Sequence, residues 1–376
     1  MPGLRPDVDP DGLLEYSVVF TDRALNHMST TFQGVMNELS TKLKGVYGAD
    51  AVAIVPGGGT YGMEAVARQF ATDSKCLVIR NGFFSFRWSQ ILEMGRISSD
   101  VSVLKAARTG PGDTAPFAPV PIETVVARIE AERPAVVFAP HVETSAGMLL
   151  PDDYVRAVAD AVDSVGGLLV LDCIASGALW VDMRALGVDV LLSAPQKGWS
   201  ASPCAALVMM SERALERLEA TTSTSFACDL KKWFQIMQAY EGGAHAYHAT
   251  MPTDALTGFR DALRETEAFG FDAARDSQWE LGRRVRQVLS ERQFQSVAAS
   301  GFEAPGVVVS YTQDTDVQNG KRFAALGLQI AAGVPLQCDE GENFKTFRVG
   351  LFGLDKLADV DASVAKFSAA LGQLPG

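Results

Sequence analysis

The chain has 376 residues, of which 47% are apolar and 21% charged, with a net charge of −12. That composition is ordinary for a soluble globular protein, and the length exceeds one small core, so two domains are expected. The negative charge argues against nucleic acid and anionic membrane as partners, and no apolar run approaches the roughly 20 residues that cross a bilayer.

The opening residues Met1 to Pro10 are polar and rich in proline, which gives an N-terminal arm (1–20) and no secretory signal. The cysteines (Cys76, Cys173, Cys204, Cys228, Cys338) are scattered and never paired as C-x-x-C, as in reduced thiols of a cytoplasmic protein. The histidines (His27, His141, His245, His248) make no metal-binding spacing, so no catalytic metal is expected.

Helical spacing of Val35, Met36, Leu39 and Leu43 predicts a helix from about Asp22 to Lys44. Strand Ala51–Val55 then runs into Pro56-Gly-Gly-Gly-Thr60 and a helix, and strand Cys76–Ile79 into Asn81-Gly-Phe-Phe84. A helix from Pro121 to Arg133 precedes strand Ala135–Ala139 and the segment His141-Val-Glu-Thr-Ser-Ala-Gly147. Pro151 opens a helix to Ser164, with proline and acids in its first turn. Three more buried runs follow: Gly167–Asp172, Val188–Ser193 and Ala205–Met210. Strands without polar alternation, separated by helices, describe a mainly parallel sheet covered on both faces. Ligands of such sheets bind beyond the carboxyl ends of the strands. A helix over Trp233–Tyr240 and a long one from Asp272 to Arg292 lead into a second unit. It holds strand Val307–Tyr311, a helix near Lys321 to Leu328, strand Thr346–Gly350 and a last helix to Leu374. The expected division is a large domain over 21–268 and a smaller α+β domain over 269–376.

Gly57-Gly-Gly-Thr-Tyr-Gly62 matches G-x-G-x-x-G between a strand and a helix. Glycine amides at a helix N-terminus hold phosphate. The dinucleotide reading also wants an acid after the next strand, where Arg80-Asn81 stands, and no G-K-[ST] follows for a Walker loop. Phosphate binding survives both objections, and a plain structural turn remains the other reading.

In Val190-Leu-Leu-Ser-Ala-Pro-Gln-Lys-Gly-Trp199 a lysine stands at the mouth of a buried strand. Burial favours the neutral amine, which attacks carbonyls, so Lys197 is a candidate Schiff-base former. A structural lysine snorkelling from a strand end is the alternative. Three further residues suit a lysine that works with pyridoxal phosphate. Asp172 ends an apolar strand 25 residues earlier, where a carboxylate is costly without a partner such as a pyridinium. Phe84 offers an aromatic face, and Arg348, mid-strand between Phe347 and Val349, offers a bidentate grip on a carboxylate.

These stretches, with Glu64-Ala65, Asp172-Cys-Ile-Ala-Ser176, Ser193-Ala-Pro-Gln-Lys197, Tyr247-His-Ala-Thr250 with Pro252 and Phe347-Arg-Val-Gly350, resemble class V, fold-type I pyridoxal-phosphate aminotransferases. Within that class the chain looks most like the alanine–glyoxylate and serine–pyruvate group. The resemblance covers about residues 50 to 350. It implies a fold-type I α/β architecture, pyridoxal 5′-phosphate as cofactor, and transfer of an amino group from an amino acid to a small 2-oxo acid. Lys197 would be the lysine joined to the cofactor and the base, and Asp172 would pair with the pyridine nitrogen. Phe84 would stack on the ring and Thr144 would face the 3-hydroxyl. Gly58, Gly59, Thr60 and Gln196 would hold the phosphate, with Tyr247 and Thr250 reaching it from a neighbouring subunit of a homodimer. Arg348 would hold the substrate carboxylate. The chain departs from the family at Gly58, where serine is usual. It also lacks the N-terminal Gly-Pro-Gly-Pro segment, near which Glu15-Tyr-Ser-Val-Val-Phe-Thr-Asp-Arg23 stands, and has bulky Phe86, Arg87 and Trp88. Three alternatives stay open. A 2-aminoethylphosphonate aminotransferase would use Arg23 and Arg87 as extra cations. A cysteine desulfurase-like lyase would need Cys338 in a reactive loop. An NADP-binding oxidoreductase would use the glycine turn and Arg80.

Overall fold

The computed structural model describes residues 24–373 together with Tyr16 and Val18. Most of the expected N-terminal arm, most of Glu15–Arg23 and the last helix's end at Leu374 lie outside the described residues.

Helix α1 (Thr30–Tyr47) starts later than its apolar spacing suggested, because the Ser29 hydroxyl accepts from Phe32 N at 3.1 Å and caps it there. It buries Phe32, Val35, Met36, Leu39 and Leu43, one helical stripe. The central sheet has seven strands: β1 (Ala51–Pro56), β2 (Cys76–Arg80), β3 (Val101–Lys105), β4 (Val136–Pro140), β5 (Leu168–Asp172), β6 (Val190–Ser193) and β7 (Ala205–Met210). Their order is β1-β7-β6-β5-β4-β2-β3. Only β7 runs against the rest, pairing antiparallel with both β1 and β6; the other pairings are parallel. All but one of the strands therefore deliver their carboxyl ends to one edge. Every residue of β2, β4, β5, β6 and β7 is buried, as two-sided cover by helices requires.

Helix α2 (Gly59–Phe70) follows β1 directly, and helix α3 (Phe83–Met94) follows β2. Helix Thr253–Phe269, which the sequence reading left unassigned, packs against α1 and precedes the long helix Phe271–Glu291. Beyond it a three-stranded antiparallel sheet joins Val307–Tyr311, Thr346–Gly350 and Ala331–Ala332. One of its faces is buried with Leu281, Val285, Leu289 and Phe367 through Val308, Phe347 and Val349. Strand alternation puts Arg348 on the other face. No helix among the described residues is long and apolar enough to cross a membrane.

Candidate active site

A cavity of about 280 Å³ opens at the carboxyl edge of the sheet, lined by Gly59, Thr60, Met63, Phe84, Arg87, Val142, Thr144, Asp172, Ile174, Ala175, Gln196 and Lys197. Five separate strand-to-loop junctions thus converge on it. Of the residues expected at a cofactor, seven line the cavity together: Gly59, Thr60, Phe84, Thr144, Asp172, Gln196 and Lys197.

The glycine turn is built for close approach. Gly57 adopts φ +121°, a conformation that favours glycine. A Cβ on Gly59 would stand 2.5 Å from the Ile174 side chain, so the first turn of α2 lies directly against the loop that follows Asp172. That first turn leaves amides without helical partners, which suits an anion. Gly58, the other glycine expected to hold phosphate, is half-buried at the N-cap with open space where a Cβ would be.

Lys197 is held by its neighbours. Trp199 is 1% exposed and sits among the rings of Tyr47, Trp180, Phe259 and Phe271, with Trp180 at 4.6 Å. This anchor fixes the turn in the core, while Ser200 N donates to Lys197 O at 3.2 Å and the Ser200 hydroxyl accepts from Leu354 N at 2.9 Å. The Lys197 ammonium lies 5.5 Å from the Phe352 ring centroid and has no ion pair among the described residues. Burial, then the nearby guanidinium groups of Arg348 and Arg87, lower its pKa from the ordinary value. Gly198 packs face to face with the Gly177 backbone; a Cβ there would stand 2.0 Å from Gly177 O. Gly198→Ala is expected to destabilise the fold by on the order of 3 kcal/mol, since neither backbone can yield cheaply. Urea unfolding at fixed pH checks it.

Asp172 Oδ1 accepts from Ile174 N at 3.0 Å, and no cation pairs with the carboxylate among the described residues. Burial, with Glu143 adding to it, pushes its pKa up to about 7, against the pull of the Ile174 amide and Arg87. A buried acid short of a positive partner is what a protonated pyridine nitrogen would satisfy. Gln196 likewise keeps a buried Oε1 without a partner. The cavity, the unpaired acid, the amide-lined turn and the depressed lysine fit pyridoxal phosphate.

Two arginines flank the Phe84 ring: Arg87 at 4.7 Å and Arg348 at 5.4 Å from its centroid. Arg87 also donates to Thr60 Oγ1 at 3.3 Å. Arg348 is steadied by Nε donating to Ala332 O at 2.8 Å, and burial lowers its pKa while Glu143 supports its charge. Arg348 does not line the cavity itself but stands against Phe84, which does. Tyr247 and Thr250 are also absent from this chain's cavity. They are exposed, Tyr247 by 63%, with their hydroxyls 3.3 Å apart. Sequence reasoning offered Arg87 only as an extra cation for a phosphonate donor and gave Glu143 no part. Glu143 was visible only as an acid within an otherwise apolar and hydroxyl-bearing segment.

A family model described as Aminotransferase class-V matches residues 13–325. A 2-aminoethylphosphonate–pyruvate transaminase from Paraburkholderia phymatum is 28% identical over 359 residues, covering 93% of this chain and 90% of that protein. The same enzyme from Pseudomonas aeruginosa is 28% identical, covering 89% and 85%. The solved alanine–glyoxylate aminotransferase of Nostoc sp. matches with a TM-score of 0.77 at 24% identity, over 92% of this chain and 89% of that one. An aspartate aminotransferase from Thermus thermophilus matches at 0.76 and 24%, over 93% of each chain. These two likenesses speak for the fold alone.

Proposed function

The chain belongs to the class-V aminotransferases, pyridoxal-phosphate-dependent transaminases, and on that premise we propose that it moves an amino group from an amino acid to a small 2-oxo acid such as pyruvate or glyoxylate. The single observation that carries the reading is the meeting of Lys197, Asp172, Phe84 and the α2 N-terminus around one cavity. When bound, pyridoxal phosphate supplies an electron-withdrawing ring that eases loss of a proton from substrate Cα. Lys197 Nζ, with its pKa lowered, takes that proton and holds it for return. The Asp172 carboxylate keeps a proton on the pyridine nitrogen. Gly59, Thr60 and Gln196 bind the phosphate, with Gly58 beside them and Tyr247 and Thr250 contributed by a second copy. Phe84 would orient the ring, Thr144 would serve the 3-hydroxyl, and Arg348 would hold the substrate carboxylate.

A homodimer accompanies this proposal. The exposed apolar side chains Tyr61, Met94, Phe226 and Tyr247 favour a covered face. The division into a large domain over 21–268 and a small one over 269–376 is proposed with it, supported by the separate apolar cluster behind Phe347. Cytoplasmic location is proposed from the five free thiols.

Arg348→Ala is expected to raise KM for pyruvate by roughly 10- to 100-fold, the loss of a charge-assisted bidentate contact. Steady-state kinetics with saturating amino donor checks it, and an unchanged KM removes the carboxylate grip. Arg87 favours a second reading, a 2-aminoethylphosphonate donor, because it sets a guanidinium in the cavity wall in addition to the one Arg348 holds against Phe84. Alanine, serine, aspartate and 2-aminoethylphosphonate, each run against pyruvate, glyoxylate and 2-oxoglutarate, decide between them by kcat/KM.

The other two readings find little support. Cys338 is buried beneath Arg80 O at 3.4 Å with its thiol pushed up to about 12 by burial, a poor nucleophile for a desulfurase. The Arg80 guanidinium donates to Ser89 Oγ and Gln337 O, which engages the cation an NADP phosphate would need.

A further inference from the structure

We infer that Glu143 is the positioning residue of this site, setting where the Phe84 ring stands and, through it, where the Arg348 guanidinium rests. The inference rests on the transaminase reading and concerns a residue that touches none of the reacting atoms.

Glu143 is 0% exposed, and its carboxylate has no ion pair among the described residues. Backbone and hydroxyl donors surround it instead. Oε1 accepts from Phe84 N at 3.2 Å, Ser145 N at 3.0 Å and Ser145 Oγ at 2.7 Å. Oε2 accepts from Ser85 N at 2.8 Å and Ser85 Oγ at 2.7 Å. Two of these donors are amides of the first turn of α3, where a negative charge is favoured by both the free N–H groups and the helix dipole. The neighbours complete the lock. Ser145 Oγ accepts from Phe83 N at 2.9 Å, and Ser85 Oγ from Asn81 N at 2.9 Å and Gly82 N at 3.0 Å. A Cβ on Gly82 would stand 2.1 Å from Ser145 Oγ and 2.7 Å from Glu143 Cγ, so the chain must be glycine there to let the acid in.

The consequence is geometric. Phe84 lies in the first turn of α3, and the carboxylate that holds its own amide ties it to the segment bearing Thr144. The ring and the 3-hydroxyl partner of the cofactor therefore move as one piece. The charge acts outward as well, supporting the Arg348 guanidinium, which lies on the Phe84 ring.

Glu143→Gln keeps the volume and one acceptor oxygen but sets an NH2 against N–H donors. The expected result is a Kd of the cofactor-free protein for pyridoxal phosphate about tenfold higher. KM for pyruvate should rise by a similar factor, through Arg348, with kcat changed less. Absorbance titration gives the first readout and steady-state kinetics the second. A variant whose melting temperature falls while Kd and KM stay within about twofold of wild type makes Glu143 a structural cap only, and overturns the inference. Ser145→Ala, which deletes one donor and leaves the charge, guards against a Gln variant that does not fold. It should raise Kd about threefold and leave KM unchanged; an unchanged Kd there also counts against the inference. Failure of the wild-type protein to bind pyridoxal phosphate at all sinks the transaminase reading itself, a distinct result.

Discussion

Lys197→Ala is expected to slow transamination by roughly three orders of magnitude or more while leaving the protein folded, because it removes the proposed general base and the proposed covalent attachment point together. The fold loses little. The Lys197 ammonium has no hydrogen bond or ion pair among the described residues to leave behind, only the Phe352 ring at 5.5 Å. It is buried beside two like charges, Arg348 and Arg87, so its removal relieves repulsion. The turn itself is secured by Trp199 and Ser200, which the substitution does not touch. The measurement is covalent fixation of the cofactor by borohydride, read by intact mass, with melting temperature as the control. Wild-type protein should gain the mass of the reduced cofactor and the variant should not. A variant that still fixes it at one equivalent assigns the attachment to another lysine. The depressed pKa adds a pH signature: cofactor attachment needs the neutral amine, so its rate should rise with pH and level off below the pH of an ordinary lysine.

Much of this site was legible in the sequence because its parts are ends of buried strands. Runs such as Ala205–Met210, Val307–Tyr311 and Thr346–Gly350 are apolar enough that their bounds coincide with the observed strands. The site residues follow such runs, so locating the strands located Asp172 and Lys197. Edge strand β3 was not legible: Val-Ser-Val-Leu-Lys is short, and all but Leu104 are partly exposed. Helix Thr253–Phe269 carries a readable stripe of Leu256, Phe259, Ala262 and Leu263, but the preceding Tyr247 to Pro252 drew the interpretation toward a motif. The remaining gaps are three-dimensional. Arg87 meets Thr60 only because α2 and α3 stand side by side, and Glu143 reaches the start of α3 from the segment after the neighbouring strand β4. Chain spacing encodes neither contact.

Asp172→Asn should cost roughly 10²- to 10³-fold in turnover, as for other preorganised charges at a reacting centre, yet stabilise the cofactor-free protein above neutral pH. The folded carboxyl keeps its proton up to about pH 7, whereas an ordinary aspartate releases it near 3.8. Between those values the folded chain binds more protons than the unfolded one, so stability falls as pH rises. The full window corresponds to on the order of 4 kcal/mol from this one group. Asparagine has nothing to ionise and keeps an oxygen for the Ile174 amide, so the variant escapes the loss. Its advantage over wild type should be absent near pH 4 and largest at pH 8. Loading wild type with pyridoxal phosphate should erase most of the difference, because the protonated ring nitrogen pairs with the carboxylate and draws its pKa back down. Urea denaturation of both proteins at pH 5, 6, 7 and 8, with and without cofactor, tests each step. Curves for cofactor-free wild type and variant that stay parallel across that range mean Asp172 is already charged when the pocket is empty. Divergence in the cofactor-free pair alone means the acid is held at a cost to the fold that only a cation in this cavity relieves.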